Sequence, residues 1–210
     1  MVDNEFSNAF KVIAKQFSSR CILVEKYFEG DDYRFLIIAD KDIAVVKRLA
    51  PKITGDGVSS IRELVDIENY RRMNPRTTCL CTIKIDDEES TRTLQKQGLT
   101  SSSIPSSDQT VLLRNNSNVS GGGSCENVLD TVHETWFDLA RRIHSLFPGN
   151  TFTCIDLLAK DVTVPVTKDG YAFCEFNSDP GFSLHEMPGT GKPHYVVKSM
   201  IDLLFPALKK

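Results

Sequence analysis

The sequence predicts an α+β fold in which an antiparallel sheet is flanked by helices. Three observations point there. Short apolar runs follow one another across tight polar turns in the first fifty residues, several separate stretches show helical periodicity, and two late apolar strands, 152–158 and 171–176, carry acids among residues that otherwise belong in a core. With 210 residues, 40% of them hydrophobic, the chain can bury one large core or two smaller ones. Its net charge of -3 gives no electrostatic case for nucleic acid, and no apolar run is long enough to span a bilayer. The N-terminus carries acids and lacks the apolar core of a secretion signal. Six cysteines, at 21, 79, 81, 125, 154 and 174, show no CxxC spacing, which suits a reduced, cytoplasmic protein. Cys79 and Cys81 read as a metal or redox pair, or as alternate positions of a strand.

Along the chain, 4–16 has apolar residues at 6, 9, 10, 13 and 17, the spacing of an amphipathic helix. Residues 21–28, 33–39 and 43–49 read as a three-stranded meander with turns at 29–32 and 40–42. Arg34 lies on the second strand and Lys47-Arg48 on the third. A planar guanidinium matches carboxylate and phosphate oxygens, so this cluster either grips an anion or forms an ordinary solvated sheet face. A glycine-bearing loop, 51–58, leads to a helix at 60–69, where Ser59 or Ser60 caps and Glu63 completes a capping box. A polar, basic surface segment follows at 69–78, then a short strand at 79–85 and a charged helix at 86–97 ended by Gly98. The serine-rich stretch 100–109 reads as a long turn, and 111–113 as a strand.

Residues 113–124, LRNNSNVSGGGS, place Arg114 and three asparagines ahead of three glycines. Backbone amides in such a turn can form an anion-binding concavity, and a flexible loop is the alternative. The pattern is neither a P-loop nor a dinucleotide fingerprint. A helix at 132–146 presents Val132, Trp136, Leu139, Ala140 and Ile143 on one side and stops at Pro148-Gly149. After the two acidic strands come a loop at 178–192 and a last helix at 195–204, closed by Pro206.

The acidic strands carry the sharpest expectation. Period-two alternation puts Glu175 and Asn177 on one face, and the turn residues Asp179, Pro180 and Gly181 end that strand. Asp156 is the one acid in its own strand, and a buried carboxylate needs a cation or donors. If the strands pair antiparallel about a connection centred near Pro165, Asp156 falls opposite Glu175. Asp156, Glu175 and Asn177 then supply oxygen ligands for magnesium. His185 lies nearby in sequence and is expected to pack or hydrogen-bond. His133, His144 and His194 read as surface or helix residues.

Taken together, VEKYFEGDDYRFLII, VVKRLAPKITGDGVSSIRELV, QGLTSSSIP, LRNNSNVSGGGS, CIDLLAKDVT, EFNSDPGFSLHEMPGTGKP and MIDLLFP resemble the later part of an ATP-grasp ligase in both order and spacing. The likeness runs from about residue 20 to the end. It is strongest to the glutathione synthetase module of bacterial bifunctional glutamate-cysteine ligase/glutathione synthetase, with cyanophycin synthetase a near rival. The resemblance implies an ATP-grasp C-terminal lobe at 21–210, with 1–20 a remnant of the nucleotide lobe. On the same resemblance the N-terminal lid lobe is expected to be largely missing, because its glycine-rich lid and two nucleotide-contacting lysines find no match here.

The resemblance further implies ATP and Mg2+ (or Mn2+) as cofactors. Val24, Glu25, Lys26, Tyr27 and Asp32 would hold the nucleotide, and Arg34, Arg48, Arg114 and Asn118 the phosphate or acyl phosphate. Asp156, Glu175 and Asn177 would hold the metal. Lys47 stands where relatives often carry arginine, which keeps the charge and loses the bidentate fork. The implied reaction joins a carboxylate to an amine through an acyl phosphate, glutathione-type or cyanophycin-type. The expected partners are small amino-acid or peptide substrates and the remainder of a longer, homo-oligomeric ligase, with neither nucleic acid nor membrane involved. A non-catalytic binding or structural domain is the other reading.

Overall fold

The computed structural model describes residues 2–17, 22–39, 41–74 and 80–206. In chain order these form α1 (Val2–Phe17), β1 (Asp31–Ile38), β2 (Asp42–Leu49), β3 (Lys52–Thr54), α2 (Ile61–Arg72), α3 (Glu88–Lys96), β4 (Thr110–Leu112), β5 (Ser124–Asn127), α4 (Glu134–Ser145), β6 (Phe152–Ala159), β7 (Tyr171–Asn177), α5 (Ser183–Glu186) and α6 (Val196–Leu204). Five strands build the main sheet in the order β5-β2-β1-β6-β7, every neighbouring pair antiparallel. The expected α+β class is therefore observed.

Strand alternation gives the sheet two unlike faces. On one, Tyr33, Phe35, Ile37, Ile43, Val45, Ile155, Leu157 and Ala159 pack against Val132, Trp136 and Ala140 from α4 and its approach. Trp136 is buried, donates its indole N–H to the Val164 carbonyl at 2.9 Å and meets Tyr171 edge-on at 5.8 Å. The helical stripe predicted around Trp136 is the one that docks. On the other face, Leu36, Ile38, Ala44 and Cys154 lie under Val196 and Met200 of α6, and Val46 and Cys125 under Leu184 of α5. That cover reaches only half the face; the other half carries the charged residues described below.

A second apolar cluster joins the two-stranded β3–β4 sheet to α2, α3 and the irregular 80–85, through Ile53, Ile61, Val65, Ile83, Ile85, Leu94, Val111 and Leu113. Ser60 and Glu63 form the expected capping box, which contributes about 1 kcal/mol to α2. Gly98, at φ 72°, ends α3 as expected.

Several expectations are corrected. Residues 22–29 are not a strand: they run irregularly, with Leu23, Val24 and Tyr27 exposed, because no strand of the sheet lies alongside to take their backbone hydrogen bonds. Cys21 and Asp40 lie outside the described residues. The expected strand at 79–85 is irregular over 80–85, although Leu80, Ile83 and Ile85 are buried; Cys79 and 75–78 are outside the described residues. Asn69 to Arg72 continue α2 instead of starting a surface segment, and Arg72 is buried. The loops at 51–58, 113–124 and 178–192 contain β3, the start of β5 and α5. His144 lies in α4, a helix residue as expected, but faces inward, its ring bonded to the Thr153 hydroxyl at 2.8 Å. The side chain of His194 is paired with Asp42 at 3.0 Å.

Candidate functional site

β1 is central, so its polar residues meet partners from both sides. Arg34 pairs in register with Val46 on β2 and with Asp156 on β6. Its guanidinium makes a two-pronged bond to Asp156, Nε to Oδ1 at 2.8 Å and Nη2 to Oδ2 at 2.7 Å. Arg48 reaches the same carboxylate, with Nη1 3.1 Å from Oδ2, and donates from Nε and Nη2 to Asp32 Oδ1 at 2.9 and 2.7 Å. The Ser117 hydroxyl donates to the other oxygen of Asp32.

Across β6 and β7, Asp156 stands opposite Glu175, as expected from the sequence, and Cys154 stands opposite Asn177. The ladder slips by one residue between Asp156 and Leu157: Leu157 faces Phe173 and Asp156 faces Glu175, so Cys174 is the extra residue of a β-bulge. Glu175 is exposed, lies 3.7 Å from Arg34 Nη2 and accepts from the Asn177 amide at 3.1 Å. One patch thus gathers three carboxylates (Asp32, Asp156, Glu175), two guanidiniums (Arg34, Arg48) and the Asn177 amide.

Asp156 is fully buried. Burial alone would raise its pKa, but the Arg34 hydrogen bonds and the charges of Arg34 and Arg48 outweigh that, and the carboxyl is held below the usual range. The bond to Asp156 likewise raises Arg34 against the opposing effect of burial. Cys154 beside them is pushed up to about 12, chiefly by burial, and stays a thiol.

The other expected site residues lie around this patch or away from it. The loop 114–118 bridges the patch to α3: Ser117 holds Asp32, while Arg114 pairs with Asp87 and Glu89, and Asn116 donates to Glu89 at 2.7 Å. Arg114 is thus seated on acids of the α3 N-terminus. Asn118 caps the short turn after it, Oδ1 accepting from the Ser120 amide at 3.1 Å. The amides of Gly121 and Gly123 donate to Asn118 and that of Gly122 to Val119, so the glycines form a closed turn and no open anion nest. Gly122 needs its glycine: φ is 99°, and a Cβ would lie 2.6 Å from Ile83 Cα. Val24, Glu25, Lys26 and Tyr27 lie exposed in the segment before β1, while Asp32 of the same expected nucleotide set sits in the patch with Arg48.

Three residues were not selected from the sequence. Ser117 belongs to the LRNNSN run, between the asparagines. Arg72 fixes the glycine turn from behind, donating to the Gly122 carbonyl at 2.6 Å and to that of Cys81 at 2.9 Å. Nothing in the sequence separates it from the basic residues around it. His185 was noted near the site, but not as the buried group it is.

By donor chemistry the patch fits a hard divalent cation: two carboxylates on one rung of adjacent strands, and an amide oxygen two residues further along β7. Asp156 Oδ2 is engaged by both arginines, which leaves the second lone pair of Oδ1 free for a further ligand.

No family model matches the chain. It is 32% identical over 201 residues to the cyanophycin synthetase of Synechocystis sp., covering 95% of this chain and 23% of that protein. To the glutathione biosynthesis bifunctional protein of Pasteurella multocida it is 33% identical over 209 residues, covering 98% of this chain and 27% of that one. The crystal structure of a bifunctional glutathione synthetase from Pasteurella multocida superposes with a TM-score of 0.73 at 33% identity, over 87% of this chain and 25% of that chain. The chain spans about a quarter of the length of these relatives.

Proposed function

The chain is a relative of one segment of the ATP-grasp ligases, and from that kinship we propose that it is the C-terminal lobe of a carboxylate–amine ligase using ATP and Mg2+. The observation that carries the reading is the Asp156–Glu175 rung, with Arg34 clasping Asp156 and Asn177 beside Glu175. Asp156, Glu175 and Asn177 would hold the metal, which offsets phosphate charge. ATP supplies a phosphoryl group that turns a substrate carboxylate into an acyl phosphate, which an amine then attacks, giving an amide, ADP and phosphate. Arg34 and Arg48, fixed by their carboxylates, would stabilise charge on the transferring group. Arg114 and Asn118 would shape the loop beside them, and Val24, Glu25, Lys26 and Tyr27 would meet the nucleotide together with Asp32. No serine or cysteine nucleophile is needed.

The preferred acid and amine are those of a glutathione-type ligase, supported by the superposition on the Pasteurella multocida structure. A cyanophycin-type amino-acid ligase is the second reading, supported by nearly equal identity to the Synechocystis protein. On either, the partners are amino-acid or peptide substrates, the rest of a longer ligase and further copies of it, in the cytoplasm where ATP and Mg2+ are abundant. Among the described residues no helix is long and apolar enough to cross a membrane.

Calorimetry with Mg·ADP or a non-hydrolysable Mg·ATP analogue, on the wild type and Glu175→Ala, tests the proposal. Metal-dependent binding lost in the variant is expected. Equal binding by both proteins would remove the metal from this rung.

A further inference from the structure

α5 is one turn long and covers the apolar part of this face beside the charged patch. Its Leu184 packs on Val46, the cross-strand partner of Arg34. The next residue, His185, is fully buried. Its backbone is anchored: the amide donates to Phe182 at 3.0 Å and the carbonyl accepts from His194 at 2.9 Å. Its ring is not. Among the described residues neither Nδ1 nor Nε2 has a hydrogen-bond partner. Burial, then the charges of Arg34 and His194, push its pKa down to about 3 against the opposing pull of Asp156, so the ring is neutral and offers one lone pair and one N–H.

A buried imidazole with both nitrogens idle destabilises this form of the protein, and an apolar side chain would fill the space without that cost. The patch beside it explains why a histidine stands there. Arg34 is only 15% exposed; among the described residues its hydrogen-bond acceptor is Asp156, and Glu175, 3.7 Å from Nη2, is a second charge partner. Those are the groups the proposed metal would draw on. A cation that draws these carboxylates towards itself loosens their hold on Arg34, and a desolvated guanidinium short of acceptors is costly. Phosphate oxygens can meet its outward N–H groups, but an inward one needs an acceptor from the protein.

We propose that His185 is a positioning residue for Arg34, a neutral acceptor that takes up a guanidinium N–H when Asp156 and Glu175 turn to a metal–nucleotide ligand. The inference rests on the ligase reading of this patch. It makes the idle ring a feature of the ligand-free protein, relieved on binding, and it requires His185 to favour binding while opposing stability.

The test pairs thermal melting with calorimetry of Mg·ADP binding, on the full chain carrying His185→Leu, His185→Phe or His185→Asn. The leucine and phenylalanine variants should melt at or above the wild-type midpoint yet bind Mg·ADP about tenfold more weakly, the worth of one hydrogen bond to a charged group. Asparagine, whose amide oxygen is an acceptor, should restore most of that loss. Either apolar variant suffices if the other fails to fold. Wild-type affinity in the apolar variants, affinity and midpoint falling together, or no rescue by asparagine would overturn the inference while leaving the ligase reading intact. A wild-type chain that binds no Mg·ADP overturns both.

Discussion

Under α4 the buried side chains of β1, β2 and β6 are apolar, except Thr153, which bonds His144; on the opposite face the same strands change character halfway along. There Leu36, Ala44 and Cys154 lie under α6, and two to four residues away Asp32, Arg34, Arg48 and Asp156 hold one another by charge. Apolar contacts have no alternative partner of comparable strength, so the α4 face has one state. An ion pair can be exchanged: a ligand bringing both a cation and an anion can take over each half. The first face is held by packing, and the second by ion pairs that can be exchanged.

The largest effect expected comes from the first face. Trp136→Ala removes the indole packed on β1 and β6 and orphans the Val164 carbonyl, and should cost about 3–5 kcal/mol in denaturant unfolding. Nucleotide binding by the fraction that remains folded should be unchanged; a specific loss of affinity would break the division between faces. Next comes Asp156→Ala, which strips Arg34 of both short bonds while Arg48 keeps Asp32. A cost of about 3 kcal/mol is expected, together with loss of Mg·nucleotide binding.

Acid gives a smaller effect of the same origin. Because the folded pKa of Asp156 lies below its unfolded value, its contribution is full above about pH 4 and is lost as pH falls through the folded pKa. Wild-type stability should therefore drop below pH 4 more steeply than that of Asp156→Asn, and parallel acid slopes would contradict the pairing. Glu175→Ala should be the mildest for the fold, within about 0.5 kcal/mol because Glu175 is 58% exposed, while still abolishing metal-dependent binding. The contrast between Asp156 and Glu175 separates holding the patch from serving the ligand.

The rung between these two acids was legible because a lone acid in an apolar strand must be answered, and alternation fixes which neighbours can answer it. The capping box and the Trp136 stripe were legible for similar local reasons. Other features were not. The run 22–28 has the composition of a strand, but a strand also needs a partner ladder, which composition does not supply. β5 is polar, with Cys125 alone buried, and so gave no alternation to read. His144 lies eight residues after Trp136 and four after Ala140, on the buried stripe, where its polarity disguised it. Arg72 is fixed by the carbonyl of Gly122, 50 residues away, a relation no local pattern records.

The slip at Cys174 has a further consequence, best seen as arithmetic on the chain. Tyr171, Phe173 and Glu175 are two apart, so an unbroken β7 would send Glu175 to the side of Trp136 and turn Phe176 outward. The single uncounted residue corrects the parity, bringing Glu175 and Asn177 round to Asp156 while Phe176 stays beneath, stacked on Phe147 at 3.8 Å. Removing Cys174 would close Phe173 and Glu175 onto Leu157 and Asp156 as successive rungs, with every other side chain keeping its side. Lengthening or shortening β7 by one residue between Glu175 and Asn177 would leave the two on opposite sides. At Cys174 the strand has a spare count, and between Glu175 and Asn177 it has none.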